Sequence, residues 1–204
     1  MVNTNELNLR INNTNVKVSY GDIFNQKSYK VIAFNEYFDT TFDNNIISPN
    51  SLNGLYISNY VENIEVLNEL IDDQINANKF MMEINKEREN GKKTRCKLGS
   101  VINYKDFLLL AFSRFDEKNQ AFLTKHDYYM CMGYFWEEID RLYSGYQVSI
   151  PLLGTGITRT EFSKQELLAA LIDTFRNSSL KLTGEGLNIV LHDKVRAEIN
   201  LSLF

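Results

Sequence analysis

Tyr146-Gln147-Val148-Ser149-Ile150-Pro151-Leu152-Leu153 runs directly into Gly154-Thr155-Gly156-Ile157-Thr158-Arg159, with Ser163 and Glu166 close behind. The first eight residues read as a strand. Ser163 and Glu166 form a capping box, each side chain satisfying a backbone N–H at the other position, and they open a helix. That helix carries Leu167, Leu168, Leu171, Ile172 and Phe175 at helical spacing, and Leu187 to Leu191 reads as a last buried strand. Strand, glycine-rich turn, helix and strand in this order make the unit from which α/β folds are built.

Working outward, the same alternation continues toward the N-terminus. Thr124 to Tyr143 is an amphipathic helix with Tyr128, Met132, Phe135, Trp136, Ile139 and Leu142 on one stripe. Ser100-Val101-Ile102 and Phe107 to Phe112 read as two strands joined by a short turn. Glu62 to Glu89 has helical spacing through Ile64, Leu67, Leu70, Ile71, Ile75, Met81 and Ile84, with Asn76-Ala77-Asn78 as a break and Asn90-Gly91 as the stop. Asn35 to Asn53 is polar and aperiodic, long for a loop in a compact domain, and such loops usually carry function. Tyr29 to Phe34 reads as a strand buried on both faces. Leu7 to Ile11 and Val16 to Tyr20 alternate around Asn12-Asn13-Thr14-Asn15, which predicts a hairpin over about 7–20. The whole predicts one α/β domain over 1–204, with a mixed, mostly parallel central sheet and helices on both faces.

The composition narrows the function classes. The 204 residues include 22 basic and 26 acidic side chains, and this surplus of acid argues against wrapping nucleic acid, which needs Lys and Arg to release counterions. The longest apolar run, Phe107 to Phe112, is far short of the ~20 residues that span a bilayer. No secretory signal is visible, so the expectation for this chain is cytoplasmic. His126 and His192 have no partner at metal-ligand spacing, and neither do Cys96 and Cys131; no metal is expected. There is no Gly-x-Ser-x-Gly elbow, no Cys/His pair and no Gly-Lys-Ser/Thr ending of a P-loop. Lys92, Lys93, Arg95 and Lys97 form a basic cluster that reads as a solvated helix end.

Ligands of such sheets bind at the carboxyl ends of the strands. Gly21-Asp22-Ile23, Asn35 to Gly54, Gly154 to Arg159 and His192-Asp193-Lys194 occupy that position. The glycines around Thr155 permit a tight turn, and they equally let main-chain N–H groups approach a pyrophosphate, with the following helix adding its positive end. Asp22 can cap the next turn or accept from an exocyclic amine. Asn50-Ser51-Leu52-Asn53-Gly54 can cap a helix or hold ribose and phosphate oxygens. Asn35 is either a turn residue or a donor to a sugar hydroxyl.

Together these segments resemble a macro domain, the α/β module that binds ADP-ribose and related NAD derivatives. Gly21-Asp22-Ile23 matches that family's Gly-Asp-Ile opening, and Val31-Ile32-Ala33-Phe34-Asn35 is similar to its second strand with a ligand-side asparagine. Asn50 to Gly54 falls at its first phosphate loop, and Ile150-Pro151-Leu152-Leu153-Gly154-Thr155-Gly156-Ile157 resembles its second. The resemblance covers about Val16 to Leu191. Phe34 to Thr40, followed by Ile46 to Gly54, looks more narrowly like the divergent macro domain of Thoeris anti-phage effectors. In those proteins the module senses a nucleotide made from NAD by a partner TIR-domain enzyme, some members acting through N-terminal transmembrane helices.

The resemblance implies that Asp22 holds the adenine amine, with Ile23 contributing its main chain, and that Asn35 stands on the ligand side. Asn50, Ser51, Leu52, Asn53 and Gly54 on one side, with Leu153, Gly154, Thr155, Gly156, Ile157, Thr158 and Arg159 on the other, would surround the diphosphate and distal ribose. It further implies no cofactor beyond the ADP-ribose-type ligand itself, and no catalytic residue. The partners implied are a TIR-domain enzyme acting through that ligand and a homo-oligomer. Met1-Val2 would then stand at the start of the soluble part of a longer protein anchored in the inner membrane. Where hydrolysing members have a second asparagine and several glycines, this chain has Glu36-Tyr37-Phe38 and a single glycine, Gly54. Such a loop could enclose an extra group on the distal ribose. Two alternatives stand beside sensing. One is an ADP-ribosyl hydrolase with Glu36, Asp39 or Asp43 as base; the other is an interaction module whose loops serve only as turns.

Overall fold

Phe107–Phe115 sets the centre of the molecule, because its side chains alternate between two apolar layers. Leu108, Leu110 and Phe112 enter one core, while Phe107, Leu109 and Ala111 enter the other. A strand buried on both faces has to be covered on both faces, which is why it reads as a continuous apolar run. The computed structural model describes residues 5–41, 46–156 and 159–204, with only the backbone of Arg159.

The elements in chain order are β1 (Glu6–Ile11), β2 (Thr14–Tyr20), β3 (Tyr29–Asn35), α1 (Leu52–Tyr60), α2 (Ile64–Asn78), β4 (Met81–Ile84), β5 (Thr94–Cys96), β6 (Val101–Tyr104) and β7 (Phe107–Phe115). They continue as β8 (Ala121–Leu123), α3 (Lys125–Leu142), β9 (Val148–Pro151), β10 (Arg159–Thr160), α4 (Lys164–Asn177) and β11 (Leu187–Leu191). Among the described residues the main sheet runs β1-β2-β11-β9-β3-β7-β8-β10, with β6 paired to β7. Pairing is parallel from β2 through β11, β9 and β3 to β7, and between β8 and β10. It is antiparallel in β1–β2, β6–β7 and β7–β8, so the sheet is mixed and mostly parallel as expected. α3 and α4 cover one face through Phe135, Trp136, Leu171 and Phe175; α1 and α2 cover the other through Tyr56, Leu67 and Ile71.

Three expectations are corrected. The helical spacing through Met81 and Ile84 does not continue the helix, because Lys79 turns left-handed at φ 55° and ends α2. Met81–Ile84 is instead β4, paired antiparallel with β5 in a separate two-stranded sheet. A further helix, α1, precedes α2; its apolar residues follow no stripe, and Tyr56 and Ile57 are simply buried. Finally, the basic cluster is no solvated helix end. Arg95 pairs with Glu36 and Glu83, Lys97 Nζ lies 3.0 Å from the centroid of the Tyr134 ring, and Lys92 Nζ is buried 3.8 Å from Asp72. Burial pushes the Lys92 ammonium below its ordinary pKa, with Asp72 and Asp39 opposing the shift. Both cysteines are buried, and desolvation raises their thiol pKa values, Cys96 to about 12, which leaves them unreactive. No described helix is long and apolar enough to cross a membrane.

Candidate functional site

The site follows from a split in the sheet. β3 and β9 pair only at Tyr29 with Val148 and Lys30 with Ser149. Beyond that, β3 stays with β7 as far as Asn35, and β9 stays with β11 as far as Pro151. The strands therefore part toward their carboxyl ends, and a cleft of about 790 Å³ opens between them. Crevices of this kind are where open α/β sheets take ligands. The sheet order sets the two ends of the cleft: Gly21 to Phe24 and His192 lie by β2 and β11, while Asn35, Ser113, Phe115 and Asn119 to Ala121 lie by β3, β7 and β8.

Asp22 stands where β2 ends and caps a short 3-10 turn, its Oδ1 accepting from Phe24 N at 2.9 Å. Gln26 ties the same turn down, its Nε2 donating to the Asp22 carbonyl at 2.8 Å and its Oε1 accepting from Asn188 Nδ2 at 2.9 Å. One carboxylate oxygen thus does the capping the sequence allows, and the side chain still lines the cleft. Ile23 is buried beside it, and Phe24 stacks on Tyr60 with ring centroids 4.7 Å apart.

Asn50, Ser51, Leu52 and Asn53 line the cleft from α1 and its approach. Ser51 caps α1, accepting from Gly54 N at 3.2 Å, and its Oγ also lies 2.5 Å from the Ser48 carbonyl. Gly54 is buried behind this wall, outside the cleft lining. A Cβ there would sit 2.2 Å from Ser48 O, so it is glycine because α1 touches the preceding backbone. Opposite, Leu153, Gly154, Thr155 and Gly156 line the cleft. Gly154 has φ 87°, the Thr155 hydroxyl closes its own turn on Leu152 O at 2.9 Å, and Lys164 Nζ holds Thr155 O at 3.2 Å. Among the described residues nothing accepts from the main-chain N–H groups of Gly154 and Gly156. The expected contribution of the next helix is corrected: α4 starts only at Lys164, and Ser163 and Glu166 occupy its first donors. The helix whose N-terminal turn borders the cleft is α1. Ile157, Thr158, the Arg159 side chain and Asp43 lie outside the described residues.

Asn35, Glu36 and Asp39 are held by the protein itself. Asn35 Nδ2 donates to Asp39 Oδ2 at 2.9 Å, and its Oδ1 accepts from Tyr37 N at 2.9 Å. Glu36, 1% exposed, accepts from Arg95 Nε at 2.8 Å, Arg114 at 3.3 Å and Phe115 N at 3.3 Å. Asp39, fully buried, takes Arg88 through both oxygens at 3.1 and 2.6 Å and Lys92 N at 2.7 Å. Four donors fill Asp39 and three, two of them from arginines, hold the buried Glu36, so both carboxylates are tied to the protein rather than to a water. Sequence reasoning missed Phe115, Asn119, Gln120 and Val195 as cleft residues, and placed Ile46, His192 and Lys194 in segments at the carboxyl ends of the strands without giving them a role. Asp116 to Gln120 carries a turn composition that could have shown the first of these, but the three-residue β8 behind it gives no periodic signal.

The model of the macro domain of Thoeris protein ThsA matches residues 16–192. The chain belongs to the ThsA macro domain family. It is similar to Thoeris protein ThsA of Bacillus amyloliquefaciens (strain Y2), with 41% identity over 205 residues covering 96% of this chain and 68% of that protein. Among solved structures it is similar to the Oceanobacillus iheyensis macrodomain with ADP, with TM-score 0.56, 14% identity and coverage of 94% and 91%. A mutant of the same macrodomain with ADPR gives TM-score 0.54, 15% identity and coverage of 94% and 93%. At such identities these two show a shared fold. The split sheet of the macro domain fold is thus what places Asp22, Asn35, Asn50 to Asn53 and Leu153 to Gly156 around one cleft.

Proposed function

We propose that this cleft binds an ADP-ribose-type nucleotide, a modified or cyclic derivative of ADP-ribose made from NAD, and that the chain acts as its sensor in anti-phage defence. The observation that carries the reading is the convergence of Asp22, the α1 wall and the main-chain donors of the 153–156 loop on one cleft. Backbone N–H groups can hold a diphosphate without any surplus of Lys and Arg, so a net charge of −4 is no obstacle. The ThsA family membership and the macrodomain structures titled with ADP and ADPR support the ligand class. In this account a TIR-domain enzyme supplies the ligand, and ligand-driven self-association and membrane attachment belong to the longer protein. Binding without turnover is supported by two of the three candidate bases, Glu36 and Asp39, which are committed to Arg95, Arg114 and Arg88. Release of ADP-ribose from a modified protein would favour the hydrolase instead.

Asp22 tests the adenine end. Asp22→Ala removes a charged acceptor worth about 1.5–3 kcal/mol, so calorimetry should show ADP-ribose binding weakened at least tenfold. Ribose 5-phosphate, which has no adenine, should bind both proteins alike. Equal ADP-ribose affinity in the two proteins would remove Asp22 from the site.

A further inference from the structure

The end of the cleft remote from Asp22 holds the carboxamides of Asn35, Asn119 and the exposed Gln120, and the two asparagines are not equivalent. Asn35 is 2% exposed and held by the protein: one of its two Nδ2 hydrogens goes to Asp39 and its oxygen accepts from Tyr37 N. Asn119, in the turn between β7 and β8, lines the same end of the cleft. Its Oδ1 accepts twice from Arg88, from Nε at 3.2 Å and from a terminal nitrogen at 2.9 Å. Arg88 is itself only 8% exposed and has no freedom to turn. Its other N–H groups go to the two Asp39 oxygens and to Lys92 O at 2.5 Å, and its guanidinium lies 4.0 Å from the centroid of the Tyr37 ring. All five of its donors are in use, so Arg88 has none for a ligand.

A guanidinium can only donate, so the atom of Asn119 facing it must be oxygen, and the amide orientation is settled without ambiguity. The backbone holds the same pose: Asn119 sits at φ 55°, a conformation asparagine tolerates, with its N–H on Asp116 O at 2.9 Å. What remains of the side chain is Nδ2, a donor pair with no acceptor among the described residues, on a residue that lines the cleft.

We propose that Asn119 Nδ2 is the specificity donor at the distal end of the cleft, addressing an oxygen acceptor on the part of the ligand beyond the diphosphate. Asn35, the residue the family pattern points to, supports the floor instead. The acceptor is a ribose hydroxyl or an oxygen of a group attached to that ribose. This inference rests on the nucleotide reading above.

Asn119→Asp removes the donor, because aspartate keeps an oxygen for Arg88 and loses both N–H groups, and ADP, which carries the same diphosphate, controls for the added charge. Calorimetry with ADP-ribose and with ADP, which ends at the diphosphate, should show ADP-ribose affinity falling about tenfold while ADP stays within about twofold. Asn119→Gly keeps the left-handed turn and should lose the same preference for ADP-ribose over ADP. A merely structural Asn119 predicts no change in that preference for Asn119→Asp. Equal affinities for ADP-ribose in wild type and Asn119→Asp, or equal losses for both ligands, would overturn the assignment. Binding of ADP-ribose by the wild type together with an unchanged preference defeats this inference alone; binding of neither ligand by the wild type defeats the nucleotide reading as well.

Discussion

Arg88→Ala is expected to lower the stability of the domain by about 3–5 kcal/mol, the cost of leaving a buried charge without its partner. Asp39 is fully buried and meets Arg88 through both oxygens, so the truncation leaves a carboxylate with only Lys92 N and Asn35 Nδ2 to answer it. The lost guanidinium also packs on Tyr37 and carries Asn119. In a domain of this size a loss of about 3–5 kcal/mol corresponds to a fall in melting temperature of roughly 10 °C. The double variant Arg88→Met with Asp39→Leu should recover part of it, since replacing both partners by apolar groups removes the stranded charge. Recovery stays incomplete because Asn35 and Lys92 lose their acceptor. A melting temperature within about 2 °C of wild type for Arg88→Ala would show that this ion pair is not formed.

Gly54→Ala is the second large effect, and its sign runs against ordinary expectation. Alanine in place of a helical glycine usually stabilises, by about 0.5–1 kcal/mol. At Gly54 the new methyl would lie 2.2 Å from the Ser48 carbonyl oxygen and 3.1 Å from its carbon, and backbone cannot swing aside as a side chain can. The 48–51 segment must move, and the contact of Ser51 Oγ with Ser48 O goes with it. We expect a destabilisation of about 1–3 kcal/mol and loss of nucleotide binding, because the displaced segment carries Asn50 and Ser51 on the cleft wall. Gly133→Ala in α3 is the control: nothing lies within 4 Å of its added methyl, so stability should hold or rise. Calorimetry and thermal melting of the two variants side by side decide the matter.

Much of this architecture is legible from periodicity and caps. The alternation of β7, the aromatic stripe of α3 and the Ser163–Glu166 box of α4 are local signals, and each appears where its residues predict. What periodicity cannot show is a partner. Met81 and Ile84 fit a helix by spacing, but Lys79 ends the helix and pairing with Thr94–Cys96 makes a strand. The same limit holds at the site. Glycines and small polar residues mark the two loops, yet nothing local tells that Gly54 packs behind the wall while Asn53 lines it. Asn35 and Asn119 are both turn asparagines in sequence. They differ only through Asp39 and Arg88, the latter 53 residues downstream of Asn35, whose pairing is a product of the fold.

The acidic, staple-free composition excluded a nucleic-acid wrapper without excluding an anionic ligand, and the cleft shows how both can hold. Main-chain groups, hydroxyls and carboxamides line most of it, with Lys194 and His192 at the β11 end, while Arg88, Arg95 and Arg114 are turned inward on Asp39, Glu36 and Asp127. Partial burial would raise the Asp127 carboxyl, but the hydrogen bonds from Arg114 and Thr124 together hold it below its ordinary range. These ion pairs serve the fold, and the three arginines take no part in lining the cleft.

A crystal structure of the protein with ADP-ribose should show adenine at Asp22, the diphosphate between Asn50–Asn53 and Leu153–Gly156, and the distal ribose toward Asn119. An empty cleft at saturating ligand, or ADP-ribose seated elsewhere, such as the groove between α3 and α4 lined by Tyr129 and Trp136, would contradict it.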